Sequence, residues 1–156
     1  MISVKSKIII NKMALRQLDA AAALALAQTA EALHTDVVQA QVIPRDTGNL
    51  QGEAFFVDKK DAPRGLVRLV HSAPYARRVY FNPDGLKFHR QAWESVETVT
   101  GKNGKLRKKT VKHDGNPNAR DHWFEPWLPG GEKGDFCAEK FKVIYRRAAR
   151  KTGVMK

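Results

Sequence analysis

The chain has 156 residues and a formal net charge of +12, from 28 Lys and Arg against 16 Asp and Glu; its 42% hydrophobic content is too high for a disordered chain. No apolar run approaches the roughly 18 residues that span a bilayer, and before Asn11 and Lys12 the chain offers only Ile8, Ile9 and Ile10, short of a secretory leader. A single cysteine, Cys137, excludes an internal disulfide, and the length fits one domain over residues 1–156.

In chain order, residues 3–10 read as a short strand, with Val4, Ile8 and Ile10 on one parity and Lys5 and Lys7 on the other. Asn11 is placed to cap a long helix over about 12–41, in which Leu15, Leu18, Ala22, Leu26, Thr29, Leu33 and Val37 recur at steps of three and four. Such a helix is about 40 Å long, and its Ala-rich middle admits another backbone closely. Pro44 lacks a backbone donor and ends it. The following Pro44-Arg45-Asp46-Thr47-Gly48-Asn49-Leu50 predicts a sharp turn, with Asp46 and Thr47 bonding local amides and Gly48 at positive φ.

Residues 52–58 and 65–72 predict two antiparallel strands, the second with imperfect alternation that implies cover on both faces for part of its length. Two strands alone are marginal, so the long helix is expected to cover them. Pro74 opens a short helical turn over 75–81 that Asn82-Pro83-Asp84-Gly85 closes. Residues 93–100 and 105–113 flank Gly101-Lys102-Asn103-Gly104, a hairpin signal inside an insertion at about 86–116. That hairpin has only Val96, Val99, Leu106 and Val111 to bury, so it reads as a protruding arm completed by contact with something else. Trp123-Phe124-Glu125-Pro126-Trp127 brings three large aromatics, read either as core or as interface anchors. Asp135 then caps a closing helix presenting Phe136, Phe141, Ile144, Tyr145 and Ala148. The expected fold is α+β: a long N-terminal helix on a small antiparallel sheet, a β-hairpin arm and a C-terminal helix.

The chemistry-bearing residues do not assemble into a catalytic or metal-binding pattern. His34, His71, His89, His113 and His122 include no pair at metal-ligand spacing, and Cys137 sits on an apolar helix face as a structural thiol would. No phosphate loop follows a strand, and paired carboxylates are absent. The expectation is therefore no enzyme, no metal and no cofactor.

Positive charge concentrates in residues 101–113 and 138–156. Lys102, Lys105, Arg107, Lys108 and Lys109 are the candidate DNA-facing residues, for non-specific contact only, since no sequence-reading fold accompanies them.

Three motifs in order, Pro44-Arg45-Asp46-Thr47-Gly48-Asn49-Leu50, Ala73-Pro74-Tyr75-Ala76-Arg77-Arg78 and Asn116-Pro117-Asn118-Ala119-Arg120-Asp121-His122-Trp123-Phe124, resemble the minor capsid or tail completion (head-tail joining) proteins of long-tailed bacteriophages. The likeness runs from about residue 15 to 149. Relatives of that kind commonly follow Pro-Tyr-Ala with an acidic residue and a glycine, where this chain has Val79-Tyr80-Phe81-Asn82-Pro83. The resemblance implies a non-enzymatic virion protein of the neck, present in the host cytoplasm during assembly. It implies a homo-oligomeric ring, six-fold, between the head connector or head-closure protein and the tail tube or tail terminator protein, with no membrane partner and genomic DNA passing by. The interface residues expected on this reading are Trp93, Val96, Leu106, Val111, Trp123, Phe124 and Trp127. The competing reading is a non-specific DNA-binding accessory protein.

Overall fold

In the computed structural model of the chain the described residues are 11–101 and 104–153. The strand expected at 3–10 and the candidate Lys102 lie outside them. The fold is α+β. Helix α1 (Lys12–Gln39) is followed by β1 (Phe55–Asp58), β2 (Arg68–His71), α2 (Ala76–Phe81), β3 (Trp93–Thr100), β4 (Leu106–His113) and α3 (Phe136–Lys151). Short 3-10 turns occupy Ala62–Arg64 and Glu125–Trp127.

Asn11 caps α1 as expected: its Oδ1 accepts from the amides of Met13 at 3.0 Å and Ala14 at 3.1 Å. These are two of the donors a helix start leaves without an internal partner. The helix stops at Gln39, and Gln41 already has φ 54°, so the chain turns before Pro44 is reached.

The deepest stripe of α1 is Ala21, Ala25 and Thr29, one position back from the expected Ala22 and Leu26. Leu15 is exposed. Small side chains lie deepest because α3 and the 62–64 turn close over this part of α1, and only a methyl or hydroxyl fits where backbones approach. Thr29 satisfies its hydroxyl internally, donating to Ala25 O at 2.8 Å. α3 runs antiparallel to α1. Lys133, just before α3, reaches Asp36 near the end of α1 at 2.6 Å, while Phe141 lies beside Ala22 and Leu26. Asp135 stands at the start of α3, but its side chain makes no capping bond.

β1 and β2 pair antiparallel with Phe55 opposite His71 and Val57 opposite Leu69. Both expected strands are shorter than read: β1 starts late because residues 49–54 coil back on themselves, with Gly52 N donating to Gly48 O and Ala54 N to Asn49 O, and β2 because Gly65 N and Leu66 N still bond back to Ala62 O and Asp61 O. The face carrying Phe55 and His71 turns inward, with the His34 ring 4.3 Å from Phe55. Phe56, on the other face of β1, is exposed, whereas in β2 Leu69, Val70 and His71 are all half-buried, so that strand is partly covered on both faces.

One core joins these pieces. Val37, Val42, Ile43, Leu50, Phe55, Ala73, Ala76, Trp123 and Trp127 pack together. All three motifs quoted above place side chains in it, Leu50 from the first, Ala73 and Ala76 from the second, and Trp123 from the third.

Polar bonds lock the third motif to the residues that flank the first. Buried Asn116 donates to Ile43 O at 2.6 Å and to Gln51 Oε1 at 2.5 Å, Gln51 Nε2 donates to Val38 O, and Arg120 N donates to Val42 O. The start of the third motif is therefore the clasp over the end of α1.

Candidate functional site

The arm emerges from this body at a root made by residues 86–92 and 114–119. Asn116 N donates to His89 O at 3.2 Å and Arg90 Nε to Ala119 O at 3.1 Å. Gly115 is required there: a Cβ on it would sit 2.5 Å from Gln91 O, closer than any real contact. At the root Trp93 is stacked between His89 at 4.2 Å and His113 at 4.4 Å. His113 Nε2 and Ser95 Oγ are hydrogen-bonded at 2.8 Å. Trp93 Nε1 is buried without a partner among the described residues.

Beyond the root, β3 and β4 pair, among the described residues, only with each other, with Val96 opposite Thr110 and Thr100 opposite Leu106. None of the described residues between 94 and 112 is buried. The pairing puts Val99 and Val111 on one face of the ribbon and Val96 and Leu106 on the other. Val96 is 67% exposed and Leu106 71%. An apolar pair left in water on a narrow two-stranded ribbon contributes nothing to the isolated fold.

The seven expected interface residues therefore separate. Val96 and Leu106 stand on the arm uncovered, Val111 is half-buried, and Trp93 is held in its histidine stack. Trp123 and Trp127 are corrected: they are 1% and 6% exposed and belong to the monomer's core. Trp123 donates to His71 Nε2 and Trp127 to Asp36 Oδ2, so neither is available to anchor a neighbour. Phe124 is half-buried and shares a shallow apolar depression with Tyr80 and the exposed Phe81. Phe81 carried no signal in the sequence beyond its place in a short helix.

The Asp46-Thr47-Gly48 turn has a different role from the one read. Gly48 does adopt φ 91°, but neither Asp46 nor Thr47 makes a side-chain hydrogen bond among the described residues. Both line a groove of about 290 Å³ with Leu50, Tyr75, Val79, Leu86 and Phe88. This groove joins the turn, α2 and the arm's root in one surface feature. Leu86 and Phe88 lie in the stretch before the hairpin.

The arm's charges are divided. Arg107 and Lys109 lie on one face and Lys108 and Lys112 on the other. Lys109 stands opposite Glu97, and Lys112 approaches Glu94 at 3.6 Å. A Cβ on Gly101 would meet Arg107 Nε at 2.8 Å, so Arg107 lies back over its own turn. Lys105 and Lys108 are exposed.

Inside the body, burial pushes the Asp36 carboxyl up, but hydrogen bonds from Lys133 and Trp127 and the Lys133 and Lys140 charges outweigh it and hold it below the usual range. Burial raises the Tyr80 phenol and the Cys137 thiol above their ordinary values. A raised thiol is the opposite of an activated nucleophile. Among the described residues no group of three or more His, Cys, Asp or Glu is arranged to hold a metal ion. No described helix is long and apolar enough to cross a membrane. Compared with known proteins, the chain matches no family profile, no curated protein and no solved structure.

Proposed function

We propose that this chain is a structural, non-enzymatic protein of the phage neck, a tail completion or head-tail joining component that assembles as a six-fold ring. It would sit between the head connector or head-closure protein and the tail tube or tail terminator protein. The order of the three motifs supports the reading, and one observation carries it: an arm that leaves the body with Val96 and Leu106 uncovered.

The arm's geometry favours exchange between copies. Each strand has eight residues, so the ribbon reaches about 26 Å from its root at about 3.3 Å per residue. The apolar groove at Leu50, Tyr75, Val79, Leu86 and Phe88 includes residues that lead into the root itself. The arm's far end therefore cannot fold into its own chain's groove, whereas a neighbour's groove is open to it. A contact of arm on one copy with groove on the next is heterologous, and such contacts close into rings when the rotation allows.

Deleting residues 100–109 tests the reading. The expected result is a protein with an unchanged thermal melt that no longer joins heads to tails and no longer forms rings on tailless heads or on free tails by electron microscopy. Normal joining by the deletion variant overturns it.

A further inference from the structure

We propose that the solvent face of α3 is a binding site for the phosphodiester backbone of duplex nucleic acid, and that it, not the arm, is the chain's polyanion contact. The proposal goes beyond the ring reading and does not depend on it.

The observation is one-signed charge without partners. α3 carries one acid, Glu139, near its start. After it, Lys142, Arg146, Arg147, Arg150 and Lys151 project away from α1, and none forms an ion pair with any described residue, while Lys59, Arg68, Arg78, Arg120 and Lys133 all do. Four of the five cations line a single depression on that face beside Val143, which is 57% exposed.

The arrangement opposes helix stability by itself. Lys142 with Arg146, Arg146 with Arg150, and Arg147 with Lys151 are like-charge pairs four residues apart, each costing a few tenths of a kcal/mol. Compensation of the helix dipole accounts for Arg150 and Lys151 in the last turn, but its reach ends there. Lys142, Arg146 and Arg147 lie earlier, beyond that reach, and are exposed and free to meet an external anion. The arm has no comparable density, because its cations are split between two faces and interleaved with Glu94 and Glu97.

The chemistry selects the duplex backbone among polyanions. Three of the five cations are arginines, whose planar forks bind phosphate oxygens in pairs. The rows repeat about every 6 Å along a straight helix. The aromatics of α3, Phe136, Phe141 and Tyr145, are partly buried, so this face offers no stacking platforms for unpaired bases, and Val143 is its one large exposed apolar side chain where a protein partner would use aromatic anchors. Contacts to phosphate alone carry no sequence preference.

The test measures binding of the full-length protein to a short random-sequence duplex as salt is raised. Wild type is expected to show a log-log slope of about −4, from four to five neutralised phosphates. Arg146→Gln with Arg150→Gln should lose roughly two units of that slope and at least about tenfold in affinity. Lys108→Gln with Lys109→Gln should stay within about twofold of wild type on the same account. If the first pair lowers the melting temperature, Lys142→Gln with Arg147→Gln on the same face replaces it. Loss of binding in the arm variant with none in the α3 variants overturns the assignment. So does binding to an acidic polypeptide with none to the duplex.

Discussion

The indole Nε1 of Trp123 donates to Nε2 of His71 at 3.3 Å, and this bond fixes which ring nitrogen of His71 carries the proton. With Nε2 accepting, Nδ1 must hold the hydrogen, and it is 3.1 Å from Leu50 O, which accepts it. The ring also lies flat on Phe55 at 4.3 Å. A second proton on His71 would set two N–H groups against each other in a largely apolar place.

Burial is the main cause that lowers His71 from 6.5 to about 4; the Leu50 bond opposes it, and the neighbouring His34 adds to it. The folded value lies below the unfolded one, so the stability from this group is fully present above pH 6.5 and is lost as pH falls from 6.5 toward 4. The slope in that window is at most about 1.4 kcal/mol per pH unit, reduced because solvent reaches part of the ring. Urea midpoints should fall between neutral pH and pH about 5, and His71→Gln, which cannot titrate, should fall less. Equal losses in both proteins would show that His71 is not the titrating group.

Asn116 is the second point at which the fold depends on one polar side chain. Its amide nitrogen satisfies Ile43 O and Gln51 Oε1 at a position 1% exposed. Asn116→Ala leaves the Ile43 carbonyl buried and unpaired, for an expected loss of about 2 to 3 kcal/mol in chemical unfolding. Asn116→Asp should be worse, since it sets a carboxylate against two acceptor oxygens. A loss below about 0.5 kcal/mol for Asn116→Ala, the usual range of a surface change, would contradict the role of this residue as a clasp.

The contrast between Asn116 and the hairpin shows where the sequence was informative. Glycines around Lys102 and Asn103 announce a tight turn locally, so the hairpin's strands were legible almost to the residue. Asn116 takes its meaning from Ile43 and Gln51, more than sixty positions away, and a loop rich in Asn and Pro does not disclose that. For the same reason Trp123 and Trp127 could be read as core or as interface: their size says they bury surface, not against what. The alanines of α1 announced close packing, but which of the adjacent stripes faces α3 depends on a partner about a hundred residues later. Of the candidate surface, the arm was visible in the sequence, and the groove was not, because it joins three separate segments.

The alanine stripe gives a third prediction. Ala25 is fully buried where α3 and the 62–64 turn close over α1, whereas Leu24 is 50% exposed. Ala25→Leu should lower stability by about 1 to 3 kcal/mol through overpacking. Leu24→Ala, a larger loss of apolar volume, should change it by less than about 0.5 kcal/mol because its surface is already half in water. Thermal melts of the two variants compare them directly, and the reverse order would place α3 against the other stripe.

The arm separates folding from assembly most cleanly. Val96 and Leu106 share a face and are among the most exposed large apolar residues described, so their replacement by serine removes almost no burial from the monomer. Val96→Ser with Leu106→Ser should therefore melt within about 0.5 kcal/mol of wild type. If a neighbour's groove receives these side chains, the same variant loses about 1.5 to 3 kcal/mol per contact for each apolar residue no longer buried. Around a closed ring that loss is repeated at every contact, so ring formation on heads or tails should fail while the monomer remains folded. Phe88→Ala, on the groove side, should reproduce the assembly defect. A double-serine variant that still forms rings as wild type does would show that the uncovered face of the arm is not the contact.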